Sequence, residues 1–362
     1  MKRRVFYVDV VRAFACLLVV MSHVFAPVCA AMNHYPRPVW WIFNLFDSFI
    51  RPSAALYVMI SGKLFLGSSR EDSYLQFVWK RYSRVFLPFF TWSMIYAFYN
   101  AREEGTPWAP GLAVLQFLKG PTEYHLWFMY LILGLYLVMP AMRRFVRWAP
   151  PQGLAGALAL WMGFLVVNFL FPGYARWGFV TILLSYGGYA ILGYAIDKAN
   201  TLHPKTGVAL CLCAGIVVFN AAATYVSTIR RGGTLDERFY FGAAPLVALQ
   251  AAAMFLLLKN VDEDSFAFKN ARLRAVVTRL GRNSYNIYLN HALFIWLFTQ
   301  GTLGFILSHN TGSSPWVGVP LTGAAVLACS LGLTLLLQRI PIISTLFVIT
   351  PPLDSGTPIT GS

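Results

Sequence analysis

Apolar residues run along this chain in blocks of about 17 to 25, separated by short gaps that collect the polar and basic residues. A hydrocarbon layer about 30 Å thick takes roughly 20 apolar residues of helix to cross. Backbone groups inside it must bond one another, so each block reads as a helix. The pattern predicts spans near 7–31, 44–66, 85–101, 124–142, 153–172 and 177–196, then 206–227, 240–258, 284–303 and 316–338. The expected fold is all-α, a polytopic membrane bundle of about ten transmembrane helices. No repeat, low-complexity tract or soluble module breaks the series. Residues 1–345 therefore read as one transmembrane domain and 346–362 as a short tail.

Charge adds orientation. With the N-terminus inside, the cytoplasmic segments hold 19 of the 29 Lys and Arg and the opposite segments hold 8. Lys and Arg accumulate in cytoplasmic loops, so both termini are expected in the cytoplasm. The net charge of +15 belongs to this placement and not to a nucleic-acid surface: 57% of residues are hydrophobic, only 12% are charged, and no polar DNA-reading module is present. Five cysteines fall in or beside apolar stretches, and their odd number and single CxC spacing make neither a disulfide framework nor a zinc site. No metal is expected. Lys2-Arg3-Arg4 and the run to Val28-Cys29-Ala30 imitate a secretory signal, but Asp9, Arg12 and His23 interrupt its apolar core.

Ionisable residues inside spans are costly and usually face a cavity, a partner or a pathway. The first span carries Asp9, Arg12 and His23. Eleven residues at about 100° each bring Arg12 and His23 to within about 20° of one face, about 16 Å apart along the axis. Asp9 lies three residues before Arg12, within pairing distance on that face. Snorkelling of Arg12 and a packing hydrogen bond from His23 are the plainer alternatives. In the second span, Ser61-Gly62 would let either another helix or a ligand lie close to the backbone. Arg81 and Arg84, three apart at a helix start, could grip phosphate together or serve only as a topology signal. Glu123 and His125 open the fourth span beside Tyr124 and Trp127, where an aromatic belt explains the latter two. Ser284 to His291 places polar side chains in a helix that is otherwise apolar.

These residues resemble acyltransferase family 3, membrane enzymes that acylate sugars and other acceptors. Asp9, Arg12 and His23 resemble the family's Arg-x10-His signature. Met59-Ile60-Ser61-Gly62 is similar to its Phe-Ile-Ser-Gly wording, and Arg81-Tyr82-Ser83-Arg84 before Pro88 resembles its Arg-x-x-Arg. The run from His125 to Pro140, and Ser284 to His291, resemble the branch that O-acetylates surface polysaccharides. Lys63 departs from the family, which more often has an apolar or aromatic residue there.

The resemblance implies acetyl-CoA as the cytoplasmic donor and, as acceptor, a hydroxyl of an outward-facing polysaccharide or lipid-linked oligosaccharide. It places the chain in the bacterial inner membrane, among membrane lipids and polysaccharide-synthesis proteins. Arg81 and Arg84 would bind the CoA phosphates, with Arg12 and Ser61 along the donor path and Asp9 holding Arg12. His23 would act as general base or carry the acyl group as an acyl-histidine; the sequence does not choose. Arg51, Glu123, His125, Trp127 and His291 are candidate acceptor contacts, joined by Trp40, Trp41 and Trp108. The rival reading is a secondary transporter or flippase, for which intramembrane Asp, Arg and His are equally expected. Against it, no inverted halves and no matched pair of broken helices are visible.

Overall fold

The computed structural model describes residues 6–69, 72–171, 178–199, 206–261 and 268–349. Among these residues there are thirteen α-helices and no strand. They are α1 (Phe6–Ala30), α2 (Arg37–Ile50), α3 (Ser53–Leu66), α4 (Tyr74–Glu103), α5 (Pro110–Lys119), α6 (Trp127–Trp148), α7 (Pro151–Leu170), α8 (Phe179–Lys198), α9 (Thr206–Arg230), α10 (Pro245–Lys259), α11 (Ala271–Thr299), α12 (Pro315–Leu337) and α13 (Pro341–Phe347).

Local chemistry sets many of the starts. Helices α2, α5, α7, α10, α12 and α13 have proline in their first two positions, where its missing N–H and fixed φ cost nothing. Helix α4 begins in a capping box, with Ser73 Oγ accepting from Gln76 N and Gln76 Oε1 accepting from Ser73 N. Helix α11 begins at Asn270, whose side chain accepts from the amides of Arg272 and Leu273.

Among the described residues, eight helical stretches are long and apolar enough to cross a membrane: α1, α2 with α3, the Tyr124–Trp148 stretch, α7, α8, α9, the Glu237–Lys259 stretch and α12. The chain is thus an all-helical, multi-pass membrane protein. The expected span 85–101 falls inside α4, and 284–303 overlaps α11, which ends at Thr299; both helices start earlier than expected and are 30 and 29 residues long. Their first halves carry Lys80, Arg81 and Arg84, and Arg272, Arg274, Arg279 and Arg282. Helix continues there on charged residues, which apolarity alone does not detect. The expected span 44–66 is also longer, Arg37–Leu66, and is broken at Arg51–Pro52.

Helix α1 is central, packed against α2, α3, α10, α11 and α12. Close approach depends on small residues. A Cβ at Gly281 of α11 would lie 2.4 Å from the Asp9 carbonyl oxygen. A Cβ at Gly62 would lie 1.9 Å from the Ala190 oxygen, and one at Gly193 would lie 2.2 Å from the Met59 oxygen. Gly62 therefore serves the α3–α8 contact. Lys63 has a structural place too. Its Nζ lies 2.6 Å from both Asp197 Oδ1 and the Tyr7 hydroxyl, and Tyr7 donates to the same carboxylate. This knot joins α1, α3 and α8.

The packed region extends past the expected boundary at 345. Trp92 Nε1 donates to the Phe347 carbonyl at 3.0 Å, and Asn286 exchanges two hydrogen bonds with the Ile349 backbone. Residues 350–362 of the expected tail lie outside the described residues.

Candidate active site

Three histidines from distant parts of the sequence meet beside α1. The His23 ring lies 5.4 Å from that of His291, centroid to centroid, and 6.5 Å from that of His125. His125 and His291 are 4.8 Å apart, and the Tyr124 ring is 4.8 Å from His23. His125 and His291 are fully buried at 1% and 0% exposure, whereas His23 keeps accessible surface. Of the three imidazoles, His23 is therefore the one that keeps a surface open to contact.

Each ring is held by a different device. His291 Nδ1 faces the carbonyls of Tyr288, at 2.7 Å, and Ile287, at 3.2 Å. A carbonyl only accepts, so Nδ1 carries the proton and Nε2 the lone pair. Nε2 and both ring nitrogens of His125 find no hydrogen-bond partner among the described residues. His125 sits in a one-turn 3₁₀ segment whose carbonyl accepts from the Tyr288 hydroxyl. Glu123 caps that turn through Tyr124 N and takes the Tyr99 hydroxyl and Asn100 Nδ2 from α4. The geometry gives Glu123 a supporting position. Four residues beyond His23, Pro27 has no N–H, so the helix supplies no amide to the His23 carbonyl.

At the opposite, basic end, a pocket of about 510 Å³ is lined by Asp72, Gln76, Arg143, Arg144, Arg147 and Trp148, among others. Arg81 and Arg143 both lie over the Phe77 ring, with guanidinium carbons 3.8 and 4.8 Å from its centroid. Arg143 Nε donates to the Phe65 carbonyl at 2.7 Å, and Arg147 to that of Ser68 at 2.9 Å. Arg81 and Lys80 neutralise Asp72 at 3.8 and 2.7 Å. Arg84 is exposed and does not line this pocket. Arg143 and Arg147 escaped the sequence reading because three arginines after a span read as topology signals; their i, i+4 spacing was the available clue.

Between the two ends, aromatic rings and Arg12 form one packed wall. Arg12 and Arg81 are both within electrostatic reach of Tyr136. Tyr57 reaches the Arg12 carbonyl at 3.4 Å, and its ring is 6.1 Å from Phe128, which is 5.6 Å from Tyr288. Tyr288 in turn touches both His125 and His291. Ser61 Oγ donates back to the Tyr57 carbonyl at 2.9 Å and so belongs to this wall. Asp9 is buried at 2% exposure where α1 meets α11.

Arg51 lies where α2 breaks, inside the expected span 44–66. It pairs with the buried Asp47, stacks 4.2 Å over Tyr240, and lies within electrostatic reach of His23. Trp127 stands 5.6 Å from Tyr186, partly exposed. Trp40 is fully buried, its Nε1 donating to the Cys29 carbonyl at 2.9 Å, so it cannot meet a sugar. Trp41 packs on Tyr225 and Trp108 on Phe98, away from the histidines. Among the described residues no three His, Cys, Asp or Glu side chains are disposed to share one metal ion.

One family's sequence profile, described as an acyltransferase domain, matches residues 5–335. No curated protein matches the chain, and neither does any solved structure.

Proposed function

The chain belongs to acyltransferase family 3, and from that premise we propose that this multi-pass acyltransferase moves an acetyl group from cytoplasmic acetyl-CoA to a hydroxyl of a polysaccharide, or its lipid-linked precursor, outside a bacterial inner membrane. The observation that carries the reading is the accessible imidazole of His23, set inside the bundle against two buried histidines. The excess of basic residues assigns the arginine-lined end to the cytoplasm.

The donor is anionic at its nucleotide end and carries its thioester on a long arm. Arg143, Arg144 and Arg147 supply guanidinium forks for phosphate oxygens at the basic pocket, with Arg81 beside it over the Phe77 ring. Arg12 extends that positive surface inward, and the wall of Tyr57, Phe128 and Tyr288 accepts the arm. His23 takes the proton of the acceptor hydroxyl as its oxygen attacks the acyl carbon. The C–S bond then breaks, the new C–O ester bond remains, and the His23 imidazolium returns the proton to the departing thiolate. Arg51, as a fixed cation near His23, is placed to favour the negative oxygen of the tetrahedral intermediate.

The His23→Ala variant is expected to insert and fold normally while losing acetyl transfer by about 10² to 10⁴-fold, the usual contribution of a positioned acid–base group. The assay is transfer of radiolabelled acetyl from external acetyl-CoA into glycan trapped in the lumen of vesicles that hold the purified protein. Wild-type transfer by His23→Ala would overturn the assignment of the base.

A further inference from the structure

A second pocket lies at the end of the bundle away from the arginines. It has a volume of about 720 Å³, within the ordinary range for ligand sites of roughly 300–1,000 Å³. It is built where the end of α1 meets the Met32–His34 turn, the start of α2 and the start of α12. None of the residues that line it is Lys, Arg, Asp or Glu. The lining is instead neutral and hydrogen-bonding, with His34, His309, Asn310, Ser313 and Ser314, and it includes two aromatic side chains, Tyr35 and Trp316.

The pocket is a fixed structure. The segment before α12 is pinned by Thr322 Oγ1 donating to the Ser308 carbonyl at 3.0 Å and by Ser308 N donating to Thr311 Oγ1 at 2.8 Å. A Cβ at Gly318 would lie 2.4 Å from the His309 carbonyl oxygen, so α12 holds this segment at backbone contact. Trp316 packs against Phe43 with ring centroids 5.2 Å apart. Burial pushes the His309 imidazole below its ordinary range, which keeps it uncharged at neutral pH. An interfacial aromatic belt would account for a Trp at this depth. It does not account for five neutral polar side chains arranged around one cavity.

The pocket also touches the reaction centre through α1. Pro27 and Ala31 line it, four and eight residues beyond His23. Four residues advance about 6 Å along the axis and return to within about 40° of the same direction. A ligand resting on Pro27 therefore sits about one helical turn from His23.

We propose that this pocket seats a neutral pyranose unit of the acceptor, with its C–H face on Trp316 or Tyr35 and its hydroxyls on the ring of His, Asn and Ser side chains. The inference rests on the proposed function for the transfer step but not for the binding itself. A site without cations is unsuited to the anionic donor. The two ends of the bundle are thus specialised by charge.

The test is direct binding by the purified full chain in nanodiscs, without donor, of neutral tetrasaccharides of glucose, galactose, mannose and N-acetylglucosamine. Tryptophan fluorescence and calorimetry are the readouts. At least one tetrasaccharide is expected to bind. At least one of Trp316→Ala and Tyr35→Ala should weaken it about tenfold or more, with the corresponding Trp316→Phe or Tyr35→Phe restoring most of the loss and acetyl-CoA binding unchanged throughout. Absence of binding to any tetrasaccharide, or unchanged affinity in both alanine variants, would overturn the pocket. Binding that these variants weaken, in a wild-type protein that transfers no acetyl group to glycan, would instead overturn the proposed function and leave the pocket standing.

Discussion

Arg143 and Arg84 both carry a guanidinium near the basic end, yet their surroundings make them unequal. Arg143 is anchored by the Phe65 carbonyl and lies over Phe77 beside Arg81, so its charge is aimed before a ligand arrives. Arg84 is exposed and holds no comparable position. A charge-assisted hydrogen bond contributes about 1.5–3 kcal/mol, so Arg143→Ala should raise the KM for acetyl-CoA by about 10- to 100-fold with kcat little changed. Arg84→Ala should move it less than about threefold. Initial-rate kinetics in vesicles separates the two. Equal effects would return the phosphate grip to Arg81 with Arg84. The same contrast shows what a sequence reveals of single residues. His23 stands out because an ionisable group in an apolar run is expensive wherever the chain goes. Arg143 does not, because a basic residue at a span end has a sufficient reason to be there. His125 and His291 are conspicuous as residues, but their meeting is a long-range fact that no local pattern contains.

At the level of elements, apolar blocks located most helices because the membrane imposes one length and one chemistry on every crossing. The pattern missed the charged first halves of α4 and α11, where helix is propagated by capping and by packing rather than by apolarity. It also missed α5, whose Leu112, Leu115 and Leu118 are exposed while Ala113 and Phe117 are buried. Ten residues are too few to span, so its length gave no signal although its exposed face is apolar. The break at Arg51–Pro52 was hidden because apolar residues continue on both sides. Of the polar run in α11, Tyr285, Asn286 and Asn290 bond Val85, Ile349 and Thr334, so packing accounts for much of what looked functional. The α3–α8 contact is the element pair most exposed to a small change. Adding a methyl at Gly62 or Gly193 forces the backbones apart, and overpacking costs about 1–3 kcal/mol. Gly62→Ala should lower thermal stability in detergent and the folded yield, whereas Gly156→Ala, which faces open space, should do neither. A Gly62→Ala protein as stable as the parent would show that the two helices are not in backbone contact.

For the whole molecule, the decisive asymmetry lies between its ends. One carries Arg143, Arg144 and Arg147, and the other a neutral pocket against Tyr35 and Trp316. The proposed orientation predicts the labelling of single cysteines placed in a chain whose five native cysteines are replaced by alanine. In intact spheroplasts, Ser314→Cys should react with an impermeant maleimide, and Trp148→Cys should react only after lysis. The reverse pattern would invert the topology and with it the donor assignment. Charge counting gives an expected sidedness, but the chemistry of the two mouths was not legible, since each is assembled from helices far apart in sequence. Reconstitution follows a rule of its own as a result. In sealed vesicles, every copy, whichever way it has inserted, turns just one mouth to the bath. Donor and acceptor added together outside would leave all copies idle, and turnover would begin only when one reagent is trapped in the lumen or a detergent opens the shell.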